Sequence, residues 1–121
     1  MRWISLLLFI PCLAFGQNKE WTQEEKYWAT GMVVAQTLDW ATTRNLARRI
    51  QRHEPFYEIN PIIGRYPTVG RVDKYFMLYM PLSLIVADNL GQYRLPVLKT
   101  IAGVHLLAVG NNLHLGLRLE F

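Results

Sequence analysis

Three apolar blocks, Tyr27 to Ala41, Tyr75 to Ala87 and Leu95 to Val109, constrain this chain most, because polar residues interrupt each of them. The first holds Gln36, Thr37 and Asp39, the second Ser83 with Asp88 just after it, and the third Lys99 and His105. None is a clean span of about 20 apolar residues. A polar side chain taken out of water costs free energy unless it is hydrogen-bonded or paired. Two readings compete: the blocks are membrane spans whose polar residues face one another across a bundle, or they form a compact periplasmic bundle or a membrane-surface protein. Charged residues make up only 18% of the chain against 51% hydrophobic. A short chain has much surface to cover, so this low charge points to lipid or a partner.

Local signals make the blocks helices. Thr22 with Glu25 three residues on is a capping box, and Glu24 and Glu25 suit the positive end of a helix dipole. Arg44, Arg48 and Arg49 suit the other end, so one helix is expected over about residues 23–50. Thr68 is an N-cap for a second helix over about 69–90, kinked at Pro81. Pro96 opens a third over about 95–111, closed by Gly110-Asn111-Asn112. The tail "LHLGLRLEF" alternates and is expected to be short and extended, a last barrel strand being the minor alternative. The fold class is all-α: a three-helix, membrane-associated bundle over residues 17–121.

Residues 1–16 read as an export signal or N-terminal anchor. Arg2 precedes the apolar run Trp3 to Phe15, which is short of a membrane span, and Ala14 and Gly16 suit signal cleavage. Cys12 is the single cysteine and lies in this run. With Pro11 before it, Cys12 does not fit a lipidation signal. Of 13 Lys and Arg residues, seven fall between Arg44 and Lys74. If the helices span a membrane, this segment lands in the cytoplasm, as the positive-inside bias requires.

Asp39 is the chemically pointed residue. A carboxylate among apolar side chains needs a partner, and Arg44, His105 and Lys99 are the candidates. It is read as part of a polar lock of Asp39, Thr43, Arg44, Glu58, Asn60 and Pro61. In Glu58-Ile59-Asn60-Pro61 the asparagine caps the amides that follow, Pro61 opens a short turn, and Gly64 ends it. Glu58 is expected to pair with an arginine. Arg48, Arg49 and Arg52 are the contacts for lipid or a partner, with Arg44, Arg48 and Arg52 on one helix face. The alternative makes Asp39 and Glu58 the acid and base of a membrane-embedded hydrolase or transferase. No metal or cofactor is expected: "HEPFYE" lacks the two-histidine zinc spacing, and no phosphate loop, nucleophile elbow or dinucleotide fingerprint occurs.

With "DWATTR" and "EINPIIGRYPTVGRVDKYF" both in view, roughly residues 36–121 resemble a group of small phage, prophage and bacterial helical membrane proteins. That group has a D-W-x-x-T-R helix and an E-x-N-P loop. The resemblance implies a shared helical fold, marks Asp39, Trp40, Thr43, Arg44, Glu58, Asn60 and Pro61 as signature positions, and brings no activity with it. The function expected is a non-enzymatic envelope accessory protein, in settings such as envelope modification, exclusion of competing phage or help with lysis. Its partners would be membrane lipids, and other envelope proteins or a second copy, with no nucleic acid. The inner membrane is the expected place, with periplasm or outer membrane as alternatives. A soluble periplasmic binding module is the remaining rival.

Overall fold

The computed structural model describes residues 20–121. The expected signal or anchor and Cys12 lie outside the described residues. Three helices form: α1 over Gln23–Gln51, α2 over Val69–Asn89 and α3 over Arg94–His114. A single 3₁₀ turn, Gly91–Tyr93, joins the last two. The described residues contain no strand.

The ends follow the local chemistry. Thr22 accepts from the Glu25 amide and the Glu25 carboxylate accepts from the Thr22 amide, so the capping box is complete. Thr68 caps α2 through the Arg71 amide. Pro81 lies inside α2, which continues through it. The expected stop at Gly110 is corrected: α3 runs on to His114. The stop is Gly116, whose φ of 85° is open to glycine at little cost. Gly116 N–H donates to Leu113 O and Leu117 N–H to Asn112 O, a Schellman ending. α1 ends the same way. His53 N–H donates to Ile50 O and Glu54 N–H to Arg49 O, but here His53 occupies the left-handed position at φ 61°.

The chain runs up, down, up. Gln36 meets Ser83, Trp40 meets Asp73 and Trp21 meets Asp88, so α2 is antiparallel to α1. Asp39 meets His105 and Thr42 meets Asn112, so α3 is parallel to α1. Positions 29, 32, 36, 39, 43 and 46 of α1 are all buried, a seam of alternating three- and four-residue steps. One apolar cluster surrounds Met32, Leu84 and Leu98, and a second surrounds Phe76, Val72 and Ile63. Each fully buried side chain such as Phe76 or Leu98 contributes about 1.5–3 kcal/mol. The tail forms no strand. Leu117 is buried, and Glu120 N–H donates to Ala41 O, folding the tail back onto α1.

No described helix is long and apolar enough to cross a membrane. The expectation that these helices span one is corrected, and the topology drawn from it falls as well. The polar residues inside each block shorten every apolar run, and in the bundle Gln36, Asp39, Ser83, Lys99 and His105 serve as contacts between helices, while the Thr37 hydroxyl donates to Val33 O of its own helix.

Candidate functional site

The D-W-x-x-T-R motif divides between two neighbours. Asp39 and Thr43, one turn apart, face α3. The Thr43 hydroxyl donates to Asp39 Oδ1 at 3.1 Å, and His105 Nδ1 lies 2.6 Å from Asp39 Oδ2. An ionised carboxylate only accepts, so opposite an ionised Asp39 the imidazole presents an N–H at Nδ1, whether the ring is neutral or protonated. Trp40 and Arg44, also one turn apart, face α2 and converge on Asp73. The Trp40 indole donates to Asp73 Oδ1 at 2.7 Å, and Arg44 Nε lies 3.4 Å from the same oxygen. Trp40 also stacks on Phe76 with centroids 5.9 Å apart.

Of the three expected partners for Asp39, His105 is the one that meets it. Arg44 is taken by Asp73, and Lys99 reaches Glu24 at 3.7 Å. Arg44 and Lys99 are therefore corrected. The reason is helical phase: residue 44 lies five positions after 39 and points toward a different helix.

The loop between α1 and α2 forms as the sequence implies. Asn60 Oδ1 accepts from the Ile62 amide, and Gly64 N–H closes the turn onto Asn60 O. Pro61 is exposed at its start. Glu58 departs from expectation. It forms no ion pair among the described residues, and its Oε1 accepts instead from the Asn60 amide at 2.9 Å. Burial raises the Glu58 carboxyl above its ordinary range, the Asp39 charge adds to this, and the Asn60 and Ile59 amides oppose it. The expected single lock thus separates into a helix pair, Asp39 with His105, and a self-bonded loop.

Both parts border one cleft of about 550 Å³, lined by Asp39, Thr43, Glu58 and Asn60 together with Tyr75, Phe76, Tyr79 and His105. His105 Nε2 makes no hydrogen bond among the described residues. Tyr75 and Tyr79 stack with centroids 5.3 Å apart. Burial raises both phenols. For Tyr75, the Asn60 side chain opposes the shift while Asp39 and Glu58 add to it; for Tyr79, Tyr75 and Asp39 add to it. Sequence reasoning did not single out Tyr75, Tyr79 or Asp73. Their signal was the four-residue step from Tyr75 to Tyr79, which puts two phenols on one helix face.

The arginine stripe is largely occupied. Arg48 pairs with Glu120 at 2.8 Å and Arg49 with Glu54 at 3.8 Å. Arg52 is exposed and makes no ion pair among the described residues, nor do Arg65, Arg71 and Lys74. A second polar centre, not anticipated, lies at the far end of the bundle. Arg94 is 1% exposed. It reaches Glu25 at 3.1 Å and the Asp88 carbonyl at 2.8 Å, and its guanidinium lies 4.4 Å from the Trp21 ring centre.

Compared with known proteins, the chain matches no family model, no curated protein and no solved structure.

Proposed function

We propose that this chain is a small, non-enzymatic envelope accessory protein that works at an anionic membrane surface through its basic end. One observation carries the reading. Arg52 and Arg65 on the loop after α1 and Arg71 in the first turn of α2, which form no ion pair among the described residues, share this end of the bundle with Tyr57, Ile62 and Tyr66, which are 56%, 71% and 66% exposed. Arg65 stacks over both tyrosines, at 5.0 and 5.6 Å from their ring centres. Aromatic and aliphatic side chains next to arginines suit the headgroup layer, where rings sit at the boundary and each cation near an anionic surface adds about 1 kcal/mol. Arg48 and Arg49, bound to carboxylates, are left to hold the tail and the end of α1. The phage resemblance suggests envelope modification, exclusion or lysis as the setting, and an N-terminal signal or anchor would deliver the chain there.

Vesicle flotation tests this reading. The full chain should float with phosphatidylglycerol vesicles and not with phosphatidylcholine, and raised salt should release it. The triple variant Arg52→Gln/Arg65→Gln/Arg71→Gln should stay in solution. Equal binding to both lipids, or a triple variant that floats like the parent, would end the proposal.

A second reading is favoured by the Asp39–His105 pair. Aspartate on Nδ1 orients the imidazole and leaves Nε2 free to take a proton from water. In that hydrolase, His105 is the base, Asp39 its orienting partner and Glu58 the acid. Turnover of an ester substrate that disappears in a folded His105→Gln variant would support it; no turnover of esters or phosphodiesters would count against it.

A further inference from the structure

The chain carries a net charge of +4, yet no lysine or arginine lines its main cleft. Its charged and aromatic lining is two carboxylates, a histidine and three aromatic rings, beside a threonine, three asparagines and aliphatic side chains. Asp39 is satisfied by His105 and Thr43. Glu58 is not matched by any cation among the described residues, and its bonded oxygen is held by a backbone amide. His105 is 6% exposed and keeps Nε2 without a hydrogen-bond partner while lining the cleft. In the neutral ring with its proton on Nδ1, Nε2 is an acceptor. The cleft therefore offers an unmatched carboxylate and an unused acceptor nitrogen. The half-buried rings of Tyr75 and Tyr79 attract positive charge through their quadrupoles. Phe76 stands edge-on to Tyr75 at 5.1 Å, and the His105 ring lies 5.5 Å from Tyr79.

We infer that the cleft takes the primary ammonium group of a small organic amine, held by Glu58 and His105 Nε2 against the Tyr75–Tyr79 wall. A primary ammonium has three N–H donors for these two acceptors and a positive charge for the rings. An anion would meet two carboxylates and no cation. A metal ion is a poorer fit, because no three His, Cys, Asp or Glu side chains converge among the described residues. The ammonium group can come from a free amine or from an ethanolamine lipid headgroup. The site shares the loop after α1 with the arginines, since Glu58 N–H donates to Arg65 O at 2.9 Å, but it uses different side chains, so its test does not require their binding to anionic lipid.

The test is a calorimetric and NMR titration of the full chain with ethanolamine, with ethylene glycol as the neutral control. Saturable binding is expected for ethanolamine alone, with shifts at Tyr75, Tyr79 and His105. Glu58→Gln, which keeps the acceptor oxygen and removes the charge, should weaken binding about tenfold or more. Tyr79→Leu should weaken it as well, and serves as the test if Glu58→Gln fails to fold. Phosphatidylethanolamine vesicles, compared with phosphatidylcholine in high salt, separate the two sources. Binding to the vesicles but not to free ethanolamine assigns the lipid headgroup, and the reverse assigns a free amine. Binding to neither, or affinity unchanged in Glu58→Gln and Tyr79→Leu, would overturn the inference.

Discussion

His105 on α3 reaches Asp39 on α1 across 2.6 Å, with both residues buried. This contact joins two helices that are separated in sequence by the whole of α2. Beside it, Asn112 donates to the Thr42 hydroxyl at 2.9 Å. The face between α1 and α3 is thus fixed in register by directional bonds as well as by apolar packing. Polar pairs of this kind select one arrangement of helices over its neighbours a turn away.

Removing one member of the pair strands the other. Asp39→Ala should lower unfolding stability by about 3 kcal/mol, because a buried imidazole and a hydroxyl lose their acceptor. The double variant Asp39→Leu/His105→Leu should recover most of that loss, since an apolar pair leaves nothing unsatisfied. Urea titrations of the three proteins check this. An Asp39→Ala variant within about 0.5 kcal/mol of the parent would show that the contact does not hold α1 to α3.

Arg94 ties the opposite end together. It binds Glu25 on α1 and the last turn of α2 while starting α3. Arg94→Met should cost about 3–5 kcal/mol, because Glu25 and Asp88 then lose their counter-charge in a buried site. Arg94→Lys should fall between, since an ammonium cannot reproduce the fork that serves the carbonyls and the carboxylate together. Thermal melts followed by circular dichroism should show a drop of about 10 °C or more for Arg94→Met. An unchanged midpoint would refute the assignment.

The helices were legible because their starts are written locally: Thr22 with Glu25, and Thr68 before Val69. The end of α3 was not, since Gly110 and Gly116 are both plausible stops and only packing chooses between them. Gly110 is exposed and tolerated within the helix, whereas Gly116 is followed by Leu117, whose burial anchors the turn. Asp39 was legible as a buried acid in need of a partner, and His105 as one of three candidates. Which of the three meets it depends on how α3 sits against α1, and single-helix periodicity carries no such information. Arg94 was hidden for a similar reason: in sequence it is one cation in a short connection, and only tertiary structure surrounds it with Glu25, Asp88 and Trp21. Membrane spans were over-read because polar residues that satisfy one another inside a bundle leave the same hydropathy pattern as residues facing each other in lipid.

The two Schellman endings make a paired comparison. His53 holds a left-handed backbone that costs a side-chain-bearing residue about 1 kcal/mol, whereas Gly116 holds its own freely. His53→Gly should therefore raise stability by about 1 kcal/mol, and Gly116→Ala should lower it by a similar amount. Denaturant midpoints give both values. A destabilised His53→Gly would mean that the imidazole makes a contact worth more than the strain.

Glu58 sets a pH dependence whose sign follows from its surroundings. Burial lifts its folded carboxyl above the ordinary value of 4.5, so between those two values the native chain binds more protons than the unfolded one. The contribution of Glu58 to stability is therefore fully present below 4.5 and is lost as pH rises through the folded value. Glu58→Gln removes this titration and keeps an oxygen for the Asn60 amide. At about pH 8 the variant should melt above the parent, and the gap should close as pH falls to about 4. Because Glu58 is only half-buried, water screens the effect and the gain should be small, about 1–3 °C. Scanning calorimetry across that range checks the sign. A gap that stays constant, or that widens toward acid, would show that the Glu58 carboxylate is stabilised in the folded chain rather than strained by it.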